Sequence, residues 1–238
     1  MTISHEKPTE YFEKEKNVKE FYERNSKLIE KLLSDYDKHL GEGMTANVCY
    51  LESNEELCFK ILKNEKDIPY HVSLDQEMEF LRELQDINND DEDTASAVTV
   101  PRPYLAADYS DKENPDGFRF MLMKNLDALS VKDILEGKGS LPEGFSVQSF
   151  RDKVSRFIEK MHRKNIYHRD LHAGNIMVDE HGKIYVIDFG ASTKPVGDED
   201  PYKEMALIKT GFFTSDEDRL TEVCNLLRNY IKKEHIDK

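Results

Sequence analysis

Cysteine is scarce in this 238-residue chain: Cys49, Cys58 and Cys224 are odd in number and include no Cys-x-x-Cys pair. That argues against a disulfide framework and fits free thiols in a reducing, cytoplasmic compartment. Long apolar runs are missing too; none approaches the roughly 20 residues that cross a bilayer. Residues 1–15 are polar throughout, so neither a membrane span nor a secretory signal is expected. Positive charge is in deficit, with 34 Lys and Arg against 48 Asp and Glu and a net charge of −14. A nucleic-acid surface needs a basic stripe to displace counterions, so no nucleic-acid partner is expected. Internal repeats and low-complexity linkers are also lacking, which leaves one globular domain or two small lobes.

Along the chain, residues 9–39 are heavily charged, with Phe12, Phe21, Leu28, Leu32 and Tyr36 near helical spacing. This reads as a helical extension that packs on the body or binds a partner. From Leu40 short strands take over, Cys49–Leu51 and Leu57–Leu62 flanking a turn at residues 52–56. A helix follows over 73–87, an acidic surface loop over 88–93, then strands around Val98–Val100 and Phe118–Met123. Beyond Leu126 the pattern turns helical, with helices expected over 130–137, 146–164 and 216–234.

The densest chemistry lies in His168-Arg169-Asp170-Leu171-His172-Ala173-Gly174-Asn175, followed thirteen residues later by Asp188-Phe189-Gly190. Ile176–Val178 and Ile184–Ile187 read as two strands joined by a turn at Glu180-His181-Gly182, a hairpin that brings Asn175 and Asp188 to one edge. An acid, an amide and a second acid at this spacing suit phosphoryl transfer. The alternative, zinc on His162, His168 and His172, has spacings of six and four and no nearby Cys or Glu in a metalloprotease arrangement.

These motifs resemble those of the protein-kinase-like superfamily, whose catalytic loop reads H-R-D-L-x-x-x-x-N and whose metal loop reads D-F-G. The resemblance covers residues 38–230. It implies an α+β, bilobal fold: an N-terminal extension over 1–39, an antiparallel-sheet N-lobe over 40–123, and a hinge with a reduced, mostly helical C-lobe over 124–238. It implies ATP and Mg2+ as cofactors, with Mn2+ as the alternative ion. Asp170 would be the proton acceptor, and Asn175 and Asp188 the metal ligands. Leu57-Cys58-Phe59-Lys60 matches the V-A-I-K strand, so Lys60 would hold the α- and β-phosphates and Glu77, with Glu79 as fallback, would be its anionic partner. Gly41 and Gly43 would let backbone N–H groups approach phosphates ahead of the first strand pair, and Val48 would cover the base. Met123 would back the adenine pocket, backbone groups of Lys124 and Leu126 would read the base edge, and Met177 would form the floor.

The pattern also departs from the family. Serine/threonine kinases place a lysine where this chain has His172, and the H-A-G-N ending is similar to the H-x-G-N of aminoglycoside and choline kinases. Only 48 residues follow Gly190 and no A-P-E motif is found, so the C-lobe is expected to be curtailed. Asp216 or Asp218 is expected to supply the buried acid that braces the catalytic loop. Arg169 could pair with a permanent carboxylate from Asp198-Glu199-Asp200. Such trimming is similar to the compact effector kinases that pathogenic bacteria export into host cells, which adds export as a localisation and a ubiquitin-conjugating enzyme as a partner. The favoured function is a serine/threonine protein kinase acting on a protein substrate; a small-molecule kinase and a pseudokinase binding module are the alternatives.

Overall fold

Leu57, Cys58, Phe59 and Lys60 are all buried, which suits the middle of a sheet. They belong to the third of five antiparallel strands ordered β1-β2-β3-β5-β4: β1 Lys38–Glu42, β2 Ala46–Leu51, β3 Asn54–Leu62, β4 Pro103–Tyr109 and β5 Phe118–Lys124. The computed structural model describes residues 38–42, 46–51, 54–62, 72–85, 87, 98–109, 118–197, 201 and 215–236. Residues 9–37, the acidic loop, Gly43 and Asp198–Asp200 lie outside them. No helix among the described residues is long and apolar enough to cross a membrane.

Two compact units emerge. One holds the five-stranded sheet through Leu126; the other holds residues 72–100 and the chain from Asp127 onward. In the first, Leu57, Phe59, Phe120 and Leu122 are fully buried, and Phe59 meets Phe120 edge to face at 5.6 Å between ring centroids. Several expectations change here. Gly41 and Glu42 do not precede the first strand pair; they are part of it, opposite Val48 and Asn47. β1 also claims Lys38 and His39, so no helix runs through residue 39. β3 begins at Asn54, inside the span read as a turn, because Leu51 and Asn54 already pair. β4 was not expected, since Pro101 and Pro103 punctuate it; at the sheet edge a proline at the first strand position leaves no ladder bond unmade. Val98–Val100 makes only a single parallel bridge, Thr99 to Tyr185, within the second unit.

The second unit is mostly helical. Its helices are α1 Leu74–Gln85, α2 Val131–Leu135, α3 Val147–Arg163 and α4 Asp216–Ile236. A small sheet, β6 Leu129–Ser130, β7 Ile176–Val178 and β8 Ile184–Val186, runs in that order. Helix starts are set by short polar side chains. Ser73 and Gln76 bond reciprocally to each other's N–H at 3.3 Å ahead of α1. The Ser130 hydroxyl accepts from Asp133 N–H and the Ser146 hydroxyl from Ser149 N–H. α3 buries Phe150, Val154, Phe157, Ile158 and Met161, a 3.6-residue stripe, and packs on α4, which buries Leu220, Val223, Cys224 and Leu227.

Replacing one buried ring on that stripe and one exposed residue of α4 should separate core from surface. Phe157→Ala should cost about 3–5 kcal/mol, whereas Leu226→Ala, at a position 48% exposed, should stay within about 0.5 kcal/mol. Urea midpoints for the two variants check this; comparable losses would refute the assignment of the core face.

Candidate active site

α3 ends in a turn that launches the His168–Asn175 loop. Asn165 adopts a left-handed φ of 58°. Its N–H reaches His162 O at 2.8 Å while Ile166 N–H reaches Met161 O at 3.1 Å, the double bond of a Schellman stop. Ile166 is thereby buried, and Tyr167 pairs with Thr193 through two backbone bonds of 3.0 Å. His168 is fully buried. Its Nε2–H donates to Ile187 O at 3.0 Å, its Nδ1 accepts from Asp170 N–H at 3.3 Å, and its ring packs on Phe189. A carbonyl only accepts, so these contacts specify the Nε2-protonated tautomer.

Of the two acids considered as the brace, Asp218 is exposed and caps its own helix, accepting from Ser215 N–H. Asp216 is fully buried. It accepts from His168 N–H and Arg169 N–H, each at 2.9 Å, and from His162 Nε2–H at 3.0 Å. Arg169, between these two held amides and Asp170, has a φ of 68°, which a long side chain adopts only under constraint. Burial works to raise the Asp216 carboxyl, but the His162 hydrogen bond, nearby His168 and the two loop amides outweigh it and hold the group below the ordinary carboxylate range.

The hairpin of β7 and β8 pairs Ile176 with Val186 and Met177 with Tyr185. One step beyond, Ile187 N–H donates to Asn175 O at 3.0 Å, so Asn175 and Asp188 meet at its open end. The buried Asn175 donates its amide to Asp170 O at 2.9 Å, which commits the nitrogen and leaves Oδ1 as the acceptor. Asp188 is left-handed (φ 62°, ψ 75°), and its carboxylate accepts from Gly190 N–H at 3.3 Å. An amide oxygen and a carboxylate are hard donors that fit Mg2+ or Mn2+. The three histidines do not form a zinc set: His162 faces Asp216 and Glu217, and both nitrogens of His168 are spent on backbone. Among the described residues no group of three His, Cys, Asp or Glu could hold a metal ion.

α1 belongs to this unit and is tied to the 188–190 turn. Val72 N–H donates to Gly190 O at 2.8 Å, and Lys194 reaches both carboxylate oxygens of Glu83, at 2.6 and 2.8 Å. Glu77 is buried on α1 and Glu79 is exposed. Met177 is half-buried in β7, beside Tyr185.

In the first unit, register places the remaining residues. Val48 stands opposite Lys60 on β2 and β3, and Cys58 stands opposite Met123 on β3 and β5. Directly paired residues share a face and residues two apart on a strand do as well, so Val48, Lys60 and Met123 line one face. Lys60 is buried there. Cys58, Met121 and Ala46 share the face by the same rule and were not singled out from the sequence, although the period of two from Lys60 marks Cys58. Burial, with Cys49 adding, pushes the Cys58 thiol up to about 12. Lys124 N–H is committed to Arg102 O, and its carbonyl faces the Cys58 thiol at 3.8 Å. Any reading of a base by Lys124 falls to that carbonyl. Leu126 is half-buried, and Gly41 sits in β1.

The Asp216 brace has a measurable signature. Asp216→Asn should destabilise the fold by about 2–4 kcal/mol near neutral pH, since a buried charged acceptor of three hydrogen bonds is lost. Because the folded carboxyl is held low, its contribution is complete above the ordinary value of 3.8 and fades as pH falls through the lower folded value. The gap in urea midpoint between wild type and variant should therefore narrow below roughly pH 4. A gap that persists unchanged to pH 2 would contradict this origin.

A model of the protein kinase domain family matches residues 34–217. The serine/threonine-protein kinase PknA of Corynebacterium glutamicum is 27% identical over 116 residues, 47% of this chain and 24% of that protein. The serine/threonine-protein kinase PrkC of Bacillus subtilis is 26% identical over 157 residues, 65% of this chain and 22% of that protein. The SNF1-related protein kinase catalytic subunit alpha KIN12 of Arabidopsis thaliana is 25% identical over 177 residues, 71% of this chain and 32% of that protein. The chain thus spans a third or less of the length of these curated relatives. The family match takes in the sheet, α1, the braced loop and the hairpin, and by it the chain belongs to the protein kinase domain family.

Proposed function

We propose that the chain is an ATP-dependent serine/threonine protein kinase. The observation that carries this reading is the coupling of Asp170, Asn175 and Asp188 through one loop and one hairpin, with Asn175 Nδ2 tied to Asp170 O and its oxygen left as the acceptor. Asn175 and Asp188 would hold the divalent ion. Bound Mg2+ or Mn2+ supplies neutralisation of the charge on the phosphate oxygens.

This chain's own residues do the positioning. Lys60, buried on the sheet face it shares with Val48 and Met123, holds the α- and β-phosphates as a fixed cation. Glu77, buried on α1, is its assigned counter-ion. The proposed base contacts are Val48 and Met123 in the first unit and Met177 in the second, with backbone groups of Lys124 and Leu126 to read the base edge. Gly41, in β1, and Gly43 are the proposed backbone contacts to the phosphates. Asp170 orients the acceptor hydroxyl and takes its proton. The hydroxyl oxygen bonds to the γ-phosphorus, the bond from that phosphorus to the β,γ-bridging oxygen breaks, and ADP departs with the electron pair. Relatives named as serine/threonine kinases favour a protein hydroxyl over a small-molecule one.

The test uses labelled ATP and magnesium with the protein alone and with a generic basic protein, beside Lys60→Met and Asp188→Ala. Label should enter phosphoserine or phosphothreonine. Each variant should lose about 10³-fold or more in kcat/KM, at ~1.4 kcal/mol per tenfold, with urea midpoints near wild type. Label that enters only an added aminoglycoside or choline would overturn the protein-substrate reading. Transfer that survives Asp188→Ala would overturn the assignment of the metal site.

A further inference from the structure

His172 occupies an odd position for a side chain of no structural use: it is 47% exposed, yet its ring is held in one orientation. Its Nδ1 accepts from Gly174 N–H at 2.9 Å. An accepting ring nitrogen carries no proton, so in this arrangement the proton sits on Nε2. Nε2 stands 3.7 Å from Asp170 Oδ2. Gly174 makes room for the ring. A Cβ at Gly174 would lie 2.8 Å from His172 Cε1 and 3.0 Å from Nδ1, and the Gly174 backbone is not left-handed. A side chain at 174 would therefore displace the imidazole beside it, without straining its own φ.

From this arrangement we infer that His172 is a positioning residue for Asp170, its Nε2–H steering the Asp170 carboxylate, and that Gly174 serves to seat the ring. The inference rests on the kinase reading above, in which Asp170 takes the hydroxyl proton. The physical reason is torsional. The carboxylate torsion of Asp is broad and roughly two-fold, so the side chain of Asp170 needs an outside contact to present one oxygen reproducibly. An N–H aimed at a carboxylate gives a charge-assisted contact. Such contacts run long until the substrate complex forms. His172 does not touch the reacting atoms; it acts through Asp170.

Two amides divide the imidazole's functions. Asparagine can reproduce the Nδ1 acceptor toward Gly174 N–H but is too short to reach Asp170. Glutamine places an N–H where Nε2 stands. With ATP, magnesium and a generic basic protein, His172→Asn and His172→Ala should lower kcat about 10- to 100-fold while KM for ATP moves less than about twofold. His172→Gln should recover most of the loss. Gly174→Ala, which pushes the ring aside, should lower kcat like His172→Ala, and adding it to His172→Ala should cost less than about threefold more.

Wild-type kcat in His172→Asn, multiplicative losses in the double variant, or a loss carried by KM or by the melting temperature would each overturn the inference. A wild-type protein that transfers no label sinks the kinase reading and this one with it. Transfer by wild type that His172→Asn matches sinks only this one.

Discussion

A single buried carboxylate organises the second unit. Asp216 opens α4, is closed off from solvent, and takes hydrogen bonds from the amides of His168 and Arg169 and from the ring of His162. Its donors come from the end of α3 and from the loop that follows, so one group joins α4, α3 and the chemistry-bearing segment. Arg169 sits there in a left-handed conformation, which costs on the order of 1–2 kcal/mol for a residue with a Cβ. Asp216 holds the two amides that lead into that strain and His168 Nδ1 holds the amide that follows it, which lets the chain turn sharply ahead of Asp170. A carboxylate buried this deeply is tolerated because each of its oxygens has partners.

From that anchor the order spreads by hydrogen bonds. His168 passes it to Ile187 through Nε2 and to Asp170 through Nδ1. Asn175 passes it back to Asp170, and the β7–β8 ladder carries it across to Asp188. Val72 and Lys194 extend the same connection to α1, which bears the buried Glu77. Two acids and an amide that lie eighteen residues apart at most are thus held by a network that joins backbone N–H donors to the side chains of His168 and Asn175. The backbone donors among them do not depend on flexible side chains, and that suits a site whose groups must keep a fixed spacing.

The sheet contributes by a different rule. Antiparallel pairing sets Val48 against Lys60 and Cys58 against Met123, and the two-residue period puts all four on one face. On the opposite face Leu57, Phe59, Phe120 and Leu122 are closed to solvent. The alternation explains how a lysine can stand in so buried a strand: its immediate neighbour Phe59 turns to that opposite face and anchors the strand, while Lys60 shares the other row with Cys58.

Local signals in the chain determined a good deal. The helical period marked α3 to within a residue at each end, and the apolar stripe from Leu220 marked α4. The H-R-D…N and D-F-G spacing marked the hairpin and the loop, because turn chemistry and strand period act over a few residues. Long-range partners were settled by tertiary structure alone. Asp216 and Asp218 have the same chemistry two residues apart, and only the packing of α4 on α3 turned one inward. Glu77 and Glu79 divided in the same way on α1. β4 was hidden by its prolines, since an edge position is a property of the sheet and not of the segment. Val98–Val100 left the main sheet because its ladder partner, Tyr185, lies 86 residues from Thr99. The closeness of His172 to Asp170, 3.7 Å from Nε2 to Oδ2, belongs to this second class: composition named the residues, but only a folded backbone could bring that ring nitrogen near that carboxylate.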